Sequence, residues 1–91
     1  MSVEVKGLGW LKNYLGEGKT IKINGRVKLI ELITDLFNEK KEAISRIIKD
    51  GKISQSVIIL LNGSDARLYN DAQTEITDGD QITIIPVVHG G

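Results

Sequence analysis

The sequence predicts an α+β fold, a sheet covered on one face by helices, and three features of its apolar pattern predict it. Apolar and polar residues alternate in two N-terminal segments, apolar residues recur at helical spacing in the middle, and an unbroken apolar run, Val57 to Leu61, precedes further strand-like segments.

Taken in order, Ser2 to Lys6 places Val3 and Val5 on one face of a strand, and Lys19 to Asn24 does the same with Ile21 and Ile23. Between them the glycines of Gly7 to Gly18 mark a loop. From Lys28 onward Leu29, Leu32, Ile33, Leu36 and Phe37 form one stripe of an amphipathic helix. Asn38 is placed to cap a second helical stretch, Glu39 to Lys49, with Ile44, Ile47 and Ile48 inward and Gly51 as its stop. One bent helix and two separate helices both fit this pattern. Val57 to Leu61 reads as a buried central strand closed by an Asn62-Gly63 turn. Sheet resumes around Ala72 to Ile76, and Asp78-Gly79-Asp80 turns the chain into Gln81 to Ile85. Pro86 lacks the amide proton a ladder needs and ends that strand. Residues 1–86 form one domain and residues 87–91 a flexible tail ending in two glycines. If the helices cover Val57, Ile59, Leu61, Ile82 and Ile84, alternation puts Ile58, Leu60 and Ile85 on the outer face beside the tail, a candidate docking patch.

Composition narrows the function. A chain of 91 residues buries only about 60–65% of its unfolded surface, which leaves little room for a large catalytic cleft. Lys plus Arg and Asp plus Glu are 12 each, for a formal charge of zero, which argues against direct nucleic-acid binding or an anionic membrane surface. No cysteine is present, so the chain forms no disulfide, thiolate metal site or thioester of its own. Val57 to Leu61 is too short to span a bilayer and the N-terminus lacks a secretory pattern, so a cytoplasmic setting is expected. Gly18-Lys19-Thr20 resembles the end of a phosphate-binding loop, but Asn13 stands where that loop needs a glycine, and a strand follows instead of a helix. Gly7 and Gly9 lack the third glycine and helix of a dinucleotide site. A single histidine, His89, assembles neither a multi-histidine metal site nor a hydrolase triad. Asp78 and Asp80 flank a turn glycine, where carboxylates serve local amides. The pattern is that of a protein acted upon, not of an enzyme.

Asn62-Gly63, Ile76, Asp78-Gly79-Asp80, an apolar strand, Pro86 and the final Gly90-Gly91 together resemble the molybdopterin synthase small subunit family. This is a β-grasp, ubiquitin-like group that includes sulfur carriers, small archaeal modifiers and the ubiquitin-related modifier. The ending Val88-His89-Gly90-Gly91 is most similar to the ubiquitin-related modifier branch. Two glycines at the last two positions would arise by chance in about 0.5% of chains.

The resemblance implies a mixed sheet of four to five strands with helices on one face, and a working group at the carboxylate of Gly91. It implies an adenylating enzyme similar to those of ubiquitin systems, which uses ATP to form a transient acyl-adenylate on Gly91, with no cofactor held permanently by the chain. A sulfurtransferase then yields a thiocarboxylate for transfer RNA thiolation through a thiolation enzyme, or a target-protein lysine takes the acyl group. The alternative it implies is the small subunit of molybdopterin synthase, whose tail enters a large subunit. Gly90, His89, Val88 and Val87 are then the tail-recognition residues. Glycines, lacking Cβ, thread a narrow channel, and the five residues after Pro86 span roughly 17 Å when extended. His89 is suited to tune that recognition near neutral pH. Trp10 and Tyr14 are either partner contacts or packing residues, and Lys40, Lys41 and Lys52 are exposed by pattern as conjugation acceptors.

Overall fold

β-Branched residues at alternate positions hold Ser2–Gly7 (β1) extended with Val3 and Val5 buried. In the computed structural model, which describes residues 1–38 and 40–87, the chain then turns helical. A 3₁₀ turn at Gly9–Leu11 runs into a short helix, Lys12–Leu15 (α1), before Lys19–Lys22 (β2). The expected loop from Gly7 to Gly18 is therefore partly helical. Leu11 and Leu15 lie four residues apart, one turn of helix, and both are buried. Their burial outweighs the glycines. The second strand is also shorter than expected, ending at Lys22 instead of Asn24.

Val27–Lys28 (β3) leads into the helix Leu29–Leu36 (α2), whose stripe of Leu29, Leu32 and Ile33 faces the core with Phe37. A separate helix, Lys41–Ile47 (α3), follows, so the two helical stretches are distinct. Asn38 is not its cap: the residue before the helix is Lys40, and no side chain caps it. The backbone turns instead by the Phe37 amide donating to Ile33 and the Lys40 amide donating to Phe37. Residues 48–49 belong to a hairpin, Ile48–Lys49 (β4) with Lys52–Ile53 (β5), and Gly51 stands in its turn.

Val57–Leu61 (β6) and Ser64–Asp65 (β7) pair across Asn62-Gly63, both in the left-handed region (φ 52° and 88°) that a two-residue hairpin turn requires. The segment expected as sheet around Ala72 is mostly not. Two 3₁₀ turns, Ala66–Leu68 and Asp71–Gln73, precede a two-residue strand, Glu75–Ile76 (β8), that pairs with β3. The final strand is Gln81–Pro86 (β9). In the turn before it Asp80 serves a local amide as expected, accepting from Thr77 at 2.8 Å, whereas Asp78 reaches the far end of the chain and accepts from the Ser2 amide at 2.7 Å, because β1 lies beside β9.

The main sheet has the order β2-β1-β9-β6-β7 and is mixed, β1 and β9 being parallel and the other neighbours antiparallel. The centre is β9, where the sequence suggested Val57–Leu61. Strand β6 is one place off centre, because β1 pairs with β9 and not with β6. Val3, Val5, Val57, Ile59, Leu61, Ile82 and Ile84 line the inner face, all buried, under the helical layer.

Gly7 marks the tightest point of that packing. A Cβ there would fall on the Leu11 Cβ and lie 3.0 Å from the Leu15 Cδ1. Gly7→Ala should therefore lower stability by about 1–3 kcal/mol through overpacking. An unchanged urea midpoint would show that α1 is not seated on β1.

Candidate functional site

The chain leaves the sheet at the end of its central strand. Pro86 is opposite Val57 in the ladder, and the next residue, Val87, donates its amide to the Ser56 carbonyl at 2.9 Å. The root of the tail is thus fixed up to Val87. Val88, His89, Gly90 and Gly91 lie outside the described residues. Gly91 is four residue steps beyond Val87, a reach of at most about 14 Å.

Two surfaces border this exit. The first is the outer face of the sheet, where Ile58 stands directly opposite Ile85 and Leu60 opposite Thr83. All three residues named as a docking patch are brought together, half-buried, with side chains on the face away from the helices. Leu8 belongs with them. Its amide donates to the Ile84 carbonyl at 3.0 Å, which extends the β1–β9 ladder one residue past Gly7 and sets Leu8, 44% exposed, beside Ile85. Alternation from Val3 and Val5 reaches Leu8 only once the strand is known to run past Lys6.

The second surface is a shallow cleft lined by Gly9, Trp10, Arg46, Ser56, Pro86 and Val87. Gly9 has a positive φ, and a Cβ there would approach the Pro86 ring to 2.8 Å, so the first turn lies directly against the tail root. Trp10 and Tyr14 both pack: Trp10 meets Tyr14 edge-on at 5.9 Å and Tyr14 meets buried Phe37 at 5.6 Å, while Trp10 also lines the cleft. The exposed face of Trp10 carries the Arg46 guanidinium at 4.7 Å. A line of rings therefore ties Arg46 to the core. Gly9, Arg46 and Ser56 escaped the sequence reading, since nothing local links three segments so far apart in the chain. Lys40, Lys41 and Lys52 are exposed.

Arg67 holds the segment that receives the tail root. Its Nη2 donates to the carbonyls of Ser54 at 2.6 Å and Val57 at 3.1 Å, on either side of Ser56, while Asp65 lies 3.7 Å from Nη1. Asp71 clips the preceding residue, its Oδ1 accepting from the Ile53 amide. Among the described residues no group of three or more His, Asp or Glu could hold a metal, and no helix is long and apolar enough to cross a membrane.

A five-stranded mixed sheet with helices on one face, and a central last strand that delivers the tail beside an apolar outer face, define a β-grasp protein of the ubiquitin-like class. The chain belongs to the ThiS family, whose model matches residues 5–91. It is 34% identical over 94 residues to the sulfur carrier protein CysO of Mycobacterium tuberculosis, covering all of both chains. It is 26% identical over 97 residues to ubiquitin-related modifier 1 of Schizosaccharomyces pombe, again covering all of both. The crystal structure of the Amycolatopsis orientalis BexX/CysO complex matches it with a TM-score of 0.77 at 28% identity, covering 98% of this chain and 99% of that one. The family is one of sulfur carriers and ubiquitin-like modifiers, small proteins that work with partner enzymes.

Arg67→Ala should leave the Ser54 and Val57 carbonyls short of a charged donor and cost about 1.5–3 kcal/mol. Hydrogen exchange at the Val87 amide should quicken more than exchange in β1. Uniform acceleration throughout the sheet would count against a local role for Arg67 at the tail root.

Proposed function

We propose that this protein is a sulfur carrier activated at the carboxylate of Gly91. The observation that carries the reading is the fixed tail root at Val87, set between the apolar outer face and the cleft beside Trp10, in a chain whose family match extends through residue 91. A carboxylate is a poor acyl donor. Attack of its oxygen on the α-phosphorus of ATP, in a partner adenylating enzyme, expels pyrophosphate and makes the acyl carbon reactive. The terminal sulfur of a sulfurtransferase persulfide then attacks the acyl carbon and displaces AMP, and a thiol of the partner cleaves the resulting acyl disulfide, forming its own disulfide and leaving a thiocarboxylate. The chain has no cysteine, so the sulfur comes from the partner. Transfer RNA thiolation and capture of the acyl group by a target lysine are two outlets for the same activated carbon, and the likeness to a ubiquitin-related modifier supports the second.

Val88, His89 and Gly90 act as the segment threaded into the partner from the anchored root at Val87, and Ile58, Leu60 and Ile85, joined by Leu8, act as its docking face. The patch adjoins the tail root, so a single partner surface can cover the patch while the tail enters its site.

Intact mass spectrometry of the protein from its native cells tests the reading. A C-terminal mass showing one oxygen replaced by sulfur supports a carrier, Gly-Gly remnants of this tail on other proteins support a modifier, and a stable free carboxylate with neither rejects both. Gly91→Val should abolish adenylation with an unchanged melting midpoint, since the substitution lies beyond the anchored root; equal loss of both would reject that division. Changing Ile58 and Leu60 together to serine should weaken binding of the adenylating enzyme at least tenfold, the loss of roughly 1.4 kcal/mol or more. Cooperative melting should be retained, and undiminished affinity would remove the outer face from the interface.

A further inference from the structure

A formal charge of zero conceals an uneven distribution. Between the end of α3 and the β4–β5 hairpin lies a groove lined by Arg46, Lys49 and Lys52, with the hydroxyl and amide side chains of residues 45 and 54–56. Asp50 is the one carboxylate lining it. Two of the nearby carboxylates are engaged elsewhere: Asp71 accepts from the Ile53 and Ala72 amides, and Asp65 accepts from the Arg67 amide and faces its guanidinium. Glu42, one helical turn before Arg46, is exposed and outside the groove lining. Arg46, Lys49 and Lys52 are all exposed, and among the described residues none of them is within ion-pair distance of a carboxylate.

Lys49 and Lys52 are also directly opposite one another in the hairpin. Like charges at such a pair are destabilising, and nothing in the packing requires them. The third cation, Arg46, is held in place on Trp10. Arg46 and Ser56 line both this groove and the cleft at the tail root. Cations that repel each other therefore stand in an arc that begins where the tail leaves the body.

We propose that this groove is a docking strip for an acidic protein segment, the Asp- and Glu-bearing rim around the site that receives the Gly91 tail. The proposal rests on the sulfur-carrier reading above. Charge complementarity fits the strip to carboxylates, and its continuity with the tail root puts them on the protein that holds the tail. A protein fits better than a nucleic acid. The Trp10 face that a base would stack on is already occupied by Arg46, and a neutral chain lacks the overall field that draws in a polyanion. The strip lies off the outer apolar face, so it sets the rate and orientation of encounter while Leu8, Ile58, Leu60 and Ile85 supply the lasting contact.

The test is the association rate of the full chain with its adenylating enzyme at several salt concentrations, for wild type and for Lys49→Glu/Lys52→Glu. Both positions are exposed, so the melting midpoint should be unchanged. At low salt the variant should associate about tenfold or more slowly and with a flatter salt dependence, while adenylate formation at saturating enzyme stays at the wild-type rate. Lys49→Gln/Lys52→Gln should fall between. Wild-type association rate and salt slope in the charge-reversed chain would overturn the docking strip and leave the carrier reading standing. Failure of the wild-type chain to be adenylated would overturn both. Transfer RNA binding that the charge reversal abolishes, with enzyme association unaffected, would overturn the acidic-protein assignment in favour of RNA.

Discussion

The constraint on which the rest of the structure depends is the insertion of the last strand between the first and the one that follows the helices. Gln81–Pro86 is bonded to β1 on one side and β6 on the other. Neither neighbour touches the other, so without this strand there is no sheet for the helices to cover. These pairings join residues far apart in the chain, the kind of contact that forms late and holds cooperatively. The backbone leading to the tail is in consequence among the best-held in the molecule. The Gly-Gly end therefore begins from a rigid origin, and a partner that recognises the body knows where the end starts.

Polar side chains extend that rigidity across connections with few apolar contacts. Asn62 accepts from the Gln81 amide and donates to Asp80, joining the β6–β7 turn to the start of β9. Arg67 and Asp71 do the same at the other end, where the segment ahead of β6 meets the tail root. Among the described residues no buried side-chain nitrogen or oxygen lacks a partner. At the part-buried bonds of Arg67 and Asp71 this removes a desolvation cost of order 1–3 kcal/mol, a substantial share of the stability of a domain this small. The turn ahead of the central strand and the segment that receives its far end are therefore secured by charge-assisted bonds as well as by the ladder.

Much of this was legible in the sequence, for reasons that differ by element. The α2 stripe spans two full turns, long enough for its period to be unmistakable, and Asn62-Gly63 has few conformations open to it other than the turn it makes. The outer patch of Ile58, Leu60 and Ile85 could be deduced because β6 is apolar on both faces, and only one face can be covered. Gly7 to Gly18 was misread because glycine speaks to local freedom, while Leu11 and Leu15 are fixed by what they meet on β1. Asn38 has the chemistry of a cap, but the chain still has to turn after Phe37 before α3 can start. Arg46 and Ser56 join the tail root only through tertiary folding, which no local pattern records. Leu8 needed the knowledge that β1 runs parallel to β9 and outlasts its visible alternation.

The strand order has one more consequence. An open sheet has two borders, and unpaired amides along a border invite a strand from another molecule. Here one border is β2, whose exposed Lys19 and Lys22 would meet their own copies in any self-pairing. The other is β7, only two residues long. Neither offers a template on which copies could stack into a ribbon. Edge-to-edge pairing of copies through either border of the main sheet is thereby disfavoured.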